Sequence, residues 1–255
     1  MITNLYRYPV KGLSPEPLTK MSLTVEHGLA GDRVFAIARK PEYFDPEKPK
    51  AEPKTKFIML MRDEALAALN THMDDGRLII EKAGDILLDV DAGTQAGEVE
   101  TFFADYVGDE KLSPRWVNAP GHKFTDISVV SPEKMRAISI INLNSVRALE
   151  KAVGTPIDPL RFRANIYIDD VPAWAEFDWM DQGVSIGSAK AKIVMRTRRC
   201  AATQVNPSTA QRDLDIPALI KQHFGHMDMG VYAEVSSDGV ATKGEPVTLI
   251  LAVNS

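Results

Sequence analysis

Short runs of alternating apolar and polar residues recur along most of this chain, and they limit its possible folds more than any other sequence feature. Residues 21–25 alternate near the start, and residues 247–253 repeat the same period of two near the C-terminus. This period places every second side chain on one face of a β-strand. Turn signals at residues 75–76 and 238–239 separate such runs. The sequence therefore predicts barrels or strongly curved sheets.

Further strands and a few helices follow from the same reasoning. Period-two and apolar runs predict strands at residues 2–8, 33–39, 77–81, 86–90, 99–103, 165–168, 184–186, 191–196 and 231–235. Apolar residues at helical spacing predict helices at residues 63–71 and 144–153. A third helix is predicted to begin after Asp215 and to end at Gly225. The predicted class is mixed α/β and β-rich.

Composition limits the classes of protein to which the chain can belong. Its 255 residues are 44% hydrophobic, which suffices for a core, and 30 Lys+Arg against 35 Asp+Glu give a net charge of −5. This mild acidity argues against a nucleic-acid partner. No apolar run approaches the roughly 18 residues of a membrane span, and the N-terminus lacks a secretory signal pattern. We therefore expect a cytoplasmic protein with no membrane partner.

Cys200 is the single cysteine of the sequence and its most informative residue. One cysteine can form no internal disulfide, no multi-thiolate zinc site and no four-cysteine iron–sulfur cluster. It follows a run, residues 196–199, that contains three arginines, at the end of a predicted strand. Nearby positive charge favours the thiolate, which attacks electrophiles or binds a soft metal. The alternative is a small, buried and inert cysteine.

Basic residues at other strand boundaries form a second pattern. Lys11 lies in a loop after the first predicted strand, and Arg33 follows a glycine-rich turn. Arg161 and Arg163 lead into the strand predicted at 165–168. Arginine forks and exposed backbone N–H groups together suit an anionic ligand. The alternative is that each cation pairs with a carboxylate on the surface.

No catalytic or binding function is predicted for several other segments and motifs. Residues 40–56 contain four prolines, five lysines and four acids, and this composition predicts an exposed, solvated connecting loop. His223 and His226 are three residues apart but lack the glutamate of a zinc-hydrolase pattern. Nucleophile-elbow, P-loop and dinucleotide-binding motifs are absent from the sequence, so hydrolase, NTPase and Rossmann dehydrogenase functions have no support.

Several short motifs follow one another in a definite order along the chain. They are Tyr8-Pro9-Val10-Lys11-Gly12, Gly31-Asp32-Arg33, Phe124-Thr125-Asp126, Arg161-Phe162-Arg163-Ala164-Asn165, Arg199-Cys200 with Thr203 and Asn206-Pro207, Gly230-Val231-Tyr232 and Gly244-Glu245-Pro246-Val247. In this order they resemble the MOSC family, in its branch with an N-terminal MOSC β-barrel domain, which includes amidoxime-reducing components. The resemblance spans nearly the whole chain.

The resemblance implies a molybdenum cofactor, in which a pterin dithiolene holds the metal. Cys200 matches the family cysteine that gives its thiolate to molybdenum, and it is the predicted catalytic residue. The predicted cofactor-binding residues are Lys11 and Arg33 at the phosphate end, Arg163 and Asn165 in an Arg-x-Asn motif, Asp126, and the neighbours of the cysteine, Arg198 and Arg199. Gly12 and Arg198 stand where some relatives have serine.

The activity implied by the resemblance is reduction of N-hydroxylated or N-oxide-like small molecules. An external reductase or ferredoxin-like carrier is the expected electron donor, because a lone cysteine excludes a built-in iron–sulfur relay. Asp228 or His226 is a candidate general acid. The alternative function is a sulfur carrier, or a module that delivers the cofactor, with Cys200 as the carrying residue.

Two domains are expected. Residues 1–120 are predicted to form a MOSC N-terminal β-barrel-like domain, and residues 121–255 a MOSC β-barrel domain with a few helices. The cofactor is expected in the cleft between them, where small-ligand sites often form.

Overall fold

The computed structural model describes residues 1–250, and within them the chain is mixed α/β and β-rich, as the sequence predicts. The strands are β1 (Ile2–Arg7), β2 (Glu16–Leu18), β3 (Lys20–Thr24), β4 (Gly28–Leu29), β5 (Phe35–Ala38), β6 (Asn70–Asp74), β7 (Arg77–Lys82), β8 (Asp85–Asp91), β9 (Arg115–Asn118), β10 (Ile138–Asn142), β11 (Ile166–Ile168), β12 (Gly183–Ile186), β13 (Ala189–Arg198), β14 (Asp228–Ser237), β15 (Gly239–Thr242) and β16 (Val247–Leu249). The α-helices are α1 (Ala96–Val107), α2 (Leu143–Val153) and α3 (Ile216–Phe224). Residues 251–253 of the last predicted strand lie outside the described residues.

An eight-stranded sheet is the framework of the molecule, with the strand order β16-β12-β13-β14-β10-β11-β1-β2. Its pairs are antiparallel except β10 and β11, which run parallel because α2 lies in the connection between them. Register shifts along the β13–β14 pair indicate bulges, which bend a sheet. The apolar face of the sheet includes Ile138, Ile140 and Ile193, all completely buried or nearly so.

Strands from the two ends of the chain pair with each other. β1 and β2 complete the eight-stranded sheet beside β11, and β3 lies between β15 and β4 in a three-stranded sheet. Ile2 opposes Ile168 and Met21 opposes Ala241, and all four side chains belong to one buried core. The division into residues 1–120 and 121–255 stays a prediction, and both sheets cross it.

A second core lies within the N-terminal half. β5 pairs with β9, and β6, β7 and β8 form a three-stranded sheet. Leu78 and Ile80 of β7 and Val99 and Phe103 of α1 are buried together in this core. The segment from β5 to β9, together with Val10 and Leu13, therefore encloses a second apolar core.

The helices predicted at residues 144–153 and between Asp215 and Gly225 are confirmed as α2 and α3. The Asn142 side chain accepts a hydrogen bond from the Asn144 backbone N–H at 3.0 Å at the start of α2. The Asp215 side chain accepts one from the Ala218 backbone at 3.2 Å at the start of α3. Both helices end at a glycine in the left-handed conformation, which glycine adopts without steric cost. Within residues 1–250, the helices lack the combination of length and apolar character that crossing a membrane requires.

Two predictions about secondary structure are wrong. Residues 99–103, predicted as a strand, lie inside α1, because Val99 and Phe103 are four residues apart and share the buried face of a helix. Residues 63–71, predicted as a helix, form only the 3₁₀ turn Glu64–Ala68 before β6 begins at Asn70. Leu69 is in the extended conformation that leads into β6, because its side chain is buried in a hydrophobic core.

Candidate functional site

A cleft of about 270 Å³ is lined by residues from the N-terminal and the C-terminal parts of the chain. Among the described residues that line it, one, Asp126, carries a carboxylate, and another is the cysteine, Cys200. The lysines and arginines of the lining are Lys11, Arg33, Lys54, Arg161, Arg163, Arg196, Arg198 and Arg199. Such an excess of positive charge in a concave site attracts an anionic ligand.

Cys200 enters the cleft directly after β13. Its carbonyl oxygen accepts hydrogen bonds from the backbone N–H of Thr203 at 3.0 Å and from the Thr203 hydroxyl at 2.9 Å. These bonds begin the 3₁₀ turn Ala201–Gln204, so the chain reverses immediately after the cysteine. The Cys200 side chain is half-buried and lines the cleft.

Arg212 ties the cysteine segment to another wall of the cleft. Its guanidinium donates hydrogen bonds to the carbonyl oxygens of Ala201 at 3.1 Å, Leu60 at 3.2 Å and Met61 at 2.9 Å. Leu60 and Met61 line the same cleft as Cys200. The Arg212 side chain therefore connects the segment after Cys200 to the segment that contains Leu60 and Met61.

Asp126 is held between two lysines. The Lys11 Nζ atom is 2.5 Å from one carboxylate oxygen of Asp126, and the Lys54 Nζ atom is 3.6 Å from the other. The desolvation of this carboxyl is limited, because its side chain is 46% exposed, and the charges of Lys11 and Lys54 hold its pKa well below the ordinary value. The ionised carboxylate thus anchors both ammonium groups in the cleft.

The guanidinium groups of Arg33 and Arg163 both lie over the ring of Tyr8. Their Cζ atoms are 4.7 Å and 4.5 Å from its centroid. Both arginines have φ near +50°, a left-handed conformation that costs a non-glycine residue about 1–2 kcal/mol and is frequent at functional sites. Arg33 is bonded to Asp32 at 2.5 Å, whereas the Arg163 guanidinium has no hydrogen bond or ion pair within residues 1–250. The Arg163 group is therefore available to an anion.

Asn165 is completely buried, and its amide is fully used by protein partners. The oxygen accepts bonds from the backbone N–H and hydroxyl of Ser139, at 3.1 Å and 3.0 Å. The nitrogen donates to the Tyr6 carbonyl at 3.2 Å and to Asp32 at 3.0 Å. Asp32 also binds Arg33, so Asn165 helps to hold Arg33 in position through Asp32. Direct contact of Asn165 with a cofactor stays a prediction.

The two arginines before the cysteine have different environments. Arg199 is buried and donates to the carbonyl oxygens of Phe162 and Met229, each at 2.8 Å. Arg198 is exposed at the rim of the cleft, and its guanidinium is 3.5 Å from the Met227 sulfur. Arg199 is therefore fixed to the segments that contain Phe162 and Met229, whereas the Arg198 side chain lines the cleft and is exposed.

Gly12 follows Lys11, and the local backbone explains why this residue is a glycine. Its φ is +87°, and a Cβ atom at this position would lie 2.7 Å from the Ile58 carbonyl oxygen. A serine here requires the chain to move. The backbone next to Lys11 is thus packed closely against the segment that leads to Met59.

The residues present fit an anionic, sulfur-ligated group. Among the described residues, three buried polar atoms without a partner belong to residues of the lining: Arg161 Nε, Arg196 Nε and Thr197 Oγ1. A buried polar group without a partner in the protein suggests a bound ligand or water. No group of three or more His, Cys, Asp or Glu side chains within residues 1–250 is placed to hold a metal ion.

The structure brings every predicted site residue to one cleft: Lys11, Arg33, Asp126, Arg163, Asn165, Arg198, Arg199 and Cys200. Their roles toward a cofactor stay predictions. The two candidate general acids do not line it: Asp228 is 3.1 Å from Arg196, and the His226 ring packs 5.2 Å from that of Trp174. The sequence gives no signal for Lys54, because the composition of residues 40–56 predicts a solvated connecting loop, yet Lys54 lines the cleft.

Fold and site together define a β-rich protein with a cationic cleft beside one cysteine. A family model described as "MOSC domain" matches residues 121–248, half of the chain. The chain belongs to the MOSC domain family.

One curated relative is similar in sequence. Mitochondrial amidoxime-reducing component 1 from Xenopus laevis is 27% identical over 177 residues, which cover 62% of this chain and 51% of that protein. The chain thus matches about half the length of this relative.

Solved structures with some likeness are also found. The YuaD protein from Bacillus subtilis is 12% identical with a TM-score of 0.45, covering 97% of this chain and 94% of that one. YiiM from Geobacillus stearothermophilus is 21% identical with a TM-score of 0.36, covering 45% and 54%.

Proposed function

We propose that this chain binds a molybdenum cofactor in the cationic cleft and reduces N-hydroxylated or N-oxide-like small molecules. The observation that carries the proposal is the single cysteine placed in a cleft with eight cationic side chains and one carboxylate. The name of the Xenopus laevis relative, an amidoxime-reducing component, supports the choice of substrate class. We propose the cytoplasm as the compartment on composition alone.

Each part of the cleft has a proposed role in holding the cofactor. Cys200 is the protein ligand to molybdenum, because a thiolate is the side-chain ligand that suits a soft metal. Lys11, Arg33 and Arg163 bind the phosphate of the pterin, since guanidinium and ammonium groups donate charge-assisted hydrogen bonds to phosphate oxygens. When bound, the cofactor supplies the two-electron redox chemistry, and the protein supplies orientation and charge.

The proposed reaction has a fixed demand for electrons and protons. R–NH–OH, two electrons and two protons give R–NH₂ and water, so one N–O bond breaks and the substrate is reduced. The electrons come from an external reductase or a ferredoxin-like carrier, because Cys200 is the single cysteine of the chain.

Turnover by the loaded protein tests this function. The chain is purified from a host that makes the cofactor and assayed for reduction of a hydroxylamine and an amidoxime with an artificial electron donor. We expect turnover in the wild type and its loss in Cys200→Ala. Bound cofactor without turnover, together with sulfane sulfur that can be transferred, would instead support the sulfur-carrier function. A chain without molybdenum would contradict both.

A further inference from the structure

A second cavity, of about 280 Å³, lies beside the cationic cleft, and we call it the side pocket. Its apolar lining comes from both halves of the chain and includes Leu13, Leu66, Leu69, Leu160, Val205 and Pro207. Among the described residues that line it, none carries a carboxylate, and the charged ones are Arg161 and Arg163. The side pocket therefore suits an apolar group and disfavours a cation.

The side pocket and the cleft share a wall close to the cysteine. The residues that line both cavities are Gly12, Leu60, Arg161, Arg163 and Ala202. Ala202 is two residues after Cys200, and two residues of chain span at most about 7 Å. A small molecule whose polar end lies beside Cys200 can therefore reach into the side pocket.

The shared wall carries hydrogen-bond donors that no protein group uses. The Arg163 guanidinium lies over the Tyr8 ring and has no hydrogen bond or ion pair within residues 1–250. The Arg161 Nε atom is buried and has no partner in that part of the chain either. A guanidinium has several N–H donors, so Arg163 can bind a polar group at the shared wall as well as a phosphate in the cleft. These donors favour a neutral or anionic group and repel a cation.

The apolar walls of the side pocket are only partly covered by protein. Ala67, Leu160 and Pro207 are half-buried, and Pro17 is exposed. A ligand that covers this surface removes it from water, which is favourable. The volume is near the lower end of the range of small-molecule sites, roughly 300–1,000 Å³, so the side pocket suits one aromatic ring or a branched aliphatic group.

We propose that the side pocket binds the apolar part of the substrate, an aromatic ring or a branched aliphatic group, while the neutral or anionic polar end of the same molecule lies at the shared wall near Cys200. The inference deepens the proposed function and rests on it for the identity of the polar end, an N-hydroxylated group. The preference for an apolar group without positive charge is a property of the cofactor-free chain as well.

Binding of small ions to the cofactor-free chain tests the proposal without turnover. Benzoate and benzamidine have the same ring and opposite charge, and acetate is benzoate without the ring. Their dissociation constants are measured by ligand-observed NMR. We expect benzoate to bind at least about 10-fold more tightly than acetate, because the ring leaves water, and more tightly than benzamidine, because the arginines repel the amidinium.

Ala67→Phe fills the side pocket, because Ala67 lines it and does not line the cleft. Ala65→Phe is the matched control, since Ala65 belongs to the same 3₁₀ turn, Glu64–Ala68, but is exposed and lines neither cavity. We expect benzoate to bind about 10-fold more weakly to Ala67→Phe and with wild-type affinity to Ala65→Phe.

Equal benzoate affinities in these two variants would overturn the proposal, and thermal unfolding checks that both are folded. If Ala67→Phe does not fold, the wild type still decides. Acetate or benzamidine bound as tightly as benzoate would also overturn the proposal.

The loaded protein gives a second measurement. The ratio of kcat/KM for benzamidoxime to kcat/KM for acetamidoxime reports the contribution of the ring. We expect this ratio to fall about 10-fold in Ala67→Phe and to stay unchanged in Ala65→Phe. Absence of turnover with both amidoximes would contradict the proposed function, while benzoate binding would still decide the role of the side pocket.

Discussion

The arginines of the cleft differ in their partners, and this difference separates structural side chains from binding side chains. The Arg161 guanidinium makes two bonds of 2.7 Å to Asp213 and one of 3.0 Å to the Gln204 carbonyl oxygen. The guanidinium of Arg163, two residues later, has no such partner within residues 1–250 and lies over the Tyr8 ring. Arg161 is therefore expected to stabilise the fold, and Arg163 to bind the ligand.

A pair of substitutions separates these roles. Arg161→Met removes hydrogen bonds that involve a charged group, so we expect a loss of about 1.5–3 kcal/mol in the free energy of unfolding. Arg163→Met should lose less, about 0.5–1 kcal/mol, because only the contact with the Tyr8 ring is removed. It should bind the cofactor about 10- to 150-fold more weakly, because a charge-assisted contact with the phosphate is lost.

Urea unfolding and the molybdenum content after dialysis are the measurements for both variants. A destabilised Arg163→Met protein that retains its cofactor would contradict the division of roles.

At the scale of elements, a buried carboxyl group joins α2 to the segment that precedes β12. Glu176 is fully buried and accepts hydrogen bonds from the Asn142 amide at 2.9 Å and the Ser145 hydroxyl at 2.8 Å. Burial raises the pKa of Glu176 above the ordinary value of 4.5, although these hydrogen bonds act in the opposite direction. The folded protein therefore favours the protonated form of Glu176 more than the unfolded chain does.

This shift gives stability a pH dependence of known sign. The contribution of Glu176 is fully present below its unfolded pKa and is lost as pH rises through the folded pKa. We expect the difference in unfolding free energy between Glu176→Gln and the wild type to move in favour of the variant from pH 4 to pH 8. Urea unfolding of both proteins at these two pH values measures it, and a difference independent of pH would contradict the raised pKa.

Elements with strong end signals could be predicted from the sequence, and elements defined by packing could not. Asp215 and Gly225, which the sequence predicts as the ends of the third helix, are the residues that cap α3. Val99 to Phe103 reads equally well as a buried strand, since only contact with Leu78 and Ile80 in the core decides for a helix. The local sequence pattern therefore predicts where a helix ends more reliably than it predicts which core residues the segment packs against.

The candidate site, like the fold, could be predicted from the sequence only in part. Cys200 and its flanking arginines are adjacent in sequence, and their charge pattern is visible there. Lys54 could not be found, because it lies among prolines and acids typical of a solvated loop. Its ion pair with Asp126 joins two positions that are far apart in the sequence, so the pair depends on the tertiary fold.

At the scale of the whole molecule, the N-terminal strands are part of the C-terminal sheets. β1 and β2 extend the sheet that contains β10 to β14, and β3 pairs with β15 in the three-stranded sheet. Without these strands, β11 and β15 lose paired edges and the core residues Ile168 and Ala241 lose their cover. The C-terminal half should therefore depend on the first strands of the chain.

Two fragments test this dependence. We expect residues 121–255 alone to show no cooperative unfolding transition by circular dichroism, because they lack four strands of the two sheets. Residues 1–34 joined to residues 119–255 should regain it, and a short linker suffices because Phe35 opposes Asn118 in the β5–β9 pair. Cooperative unfolding of residues 121–255 alone would show that this half is an independent domain.

The proposed chemistry of the whole molecule depends on one bond, from the Cys200 sulfur to molybdenum. X-ray absorption at the molybdenum edge counts the sulfur ligands of the metal in the loaded wild type and in Cys200→Ser. We predict one sulfur ligand fewer in the variant. An equal number of sulfur ligands in the two proteins, or no molybdenum in wild-type protein from a cofactor-producing host, would contradict the account.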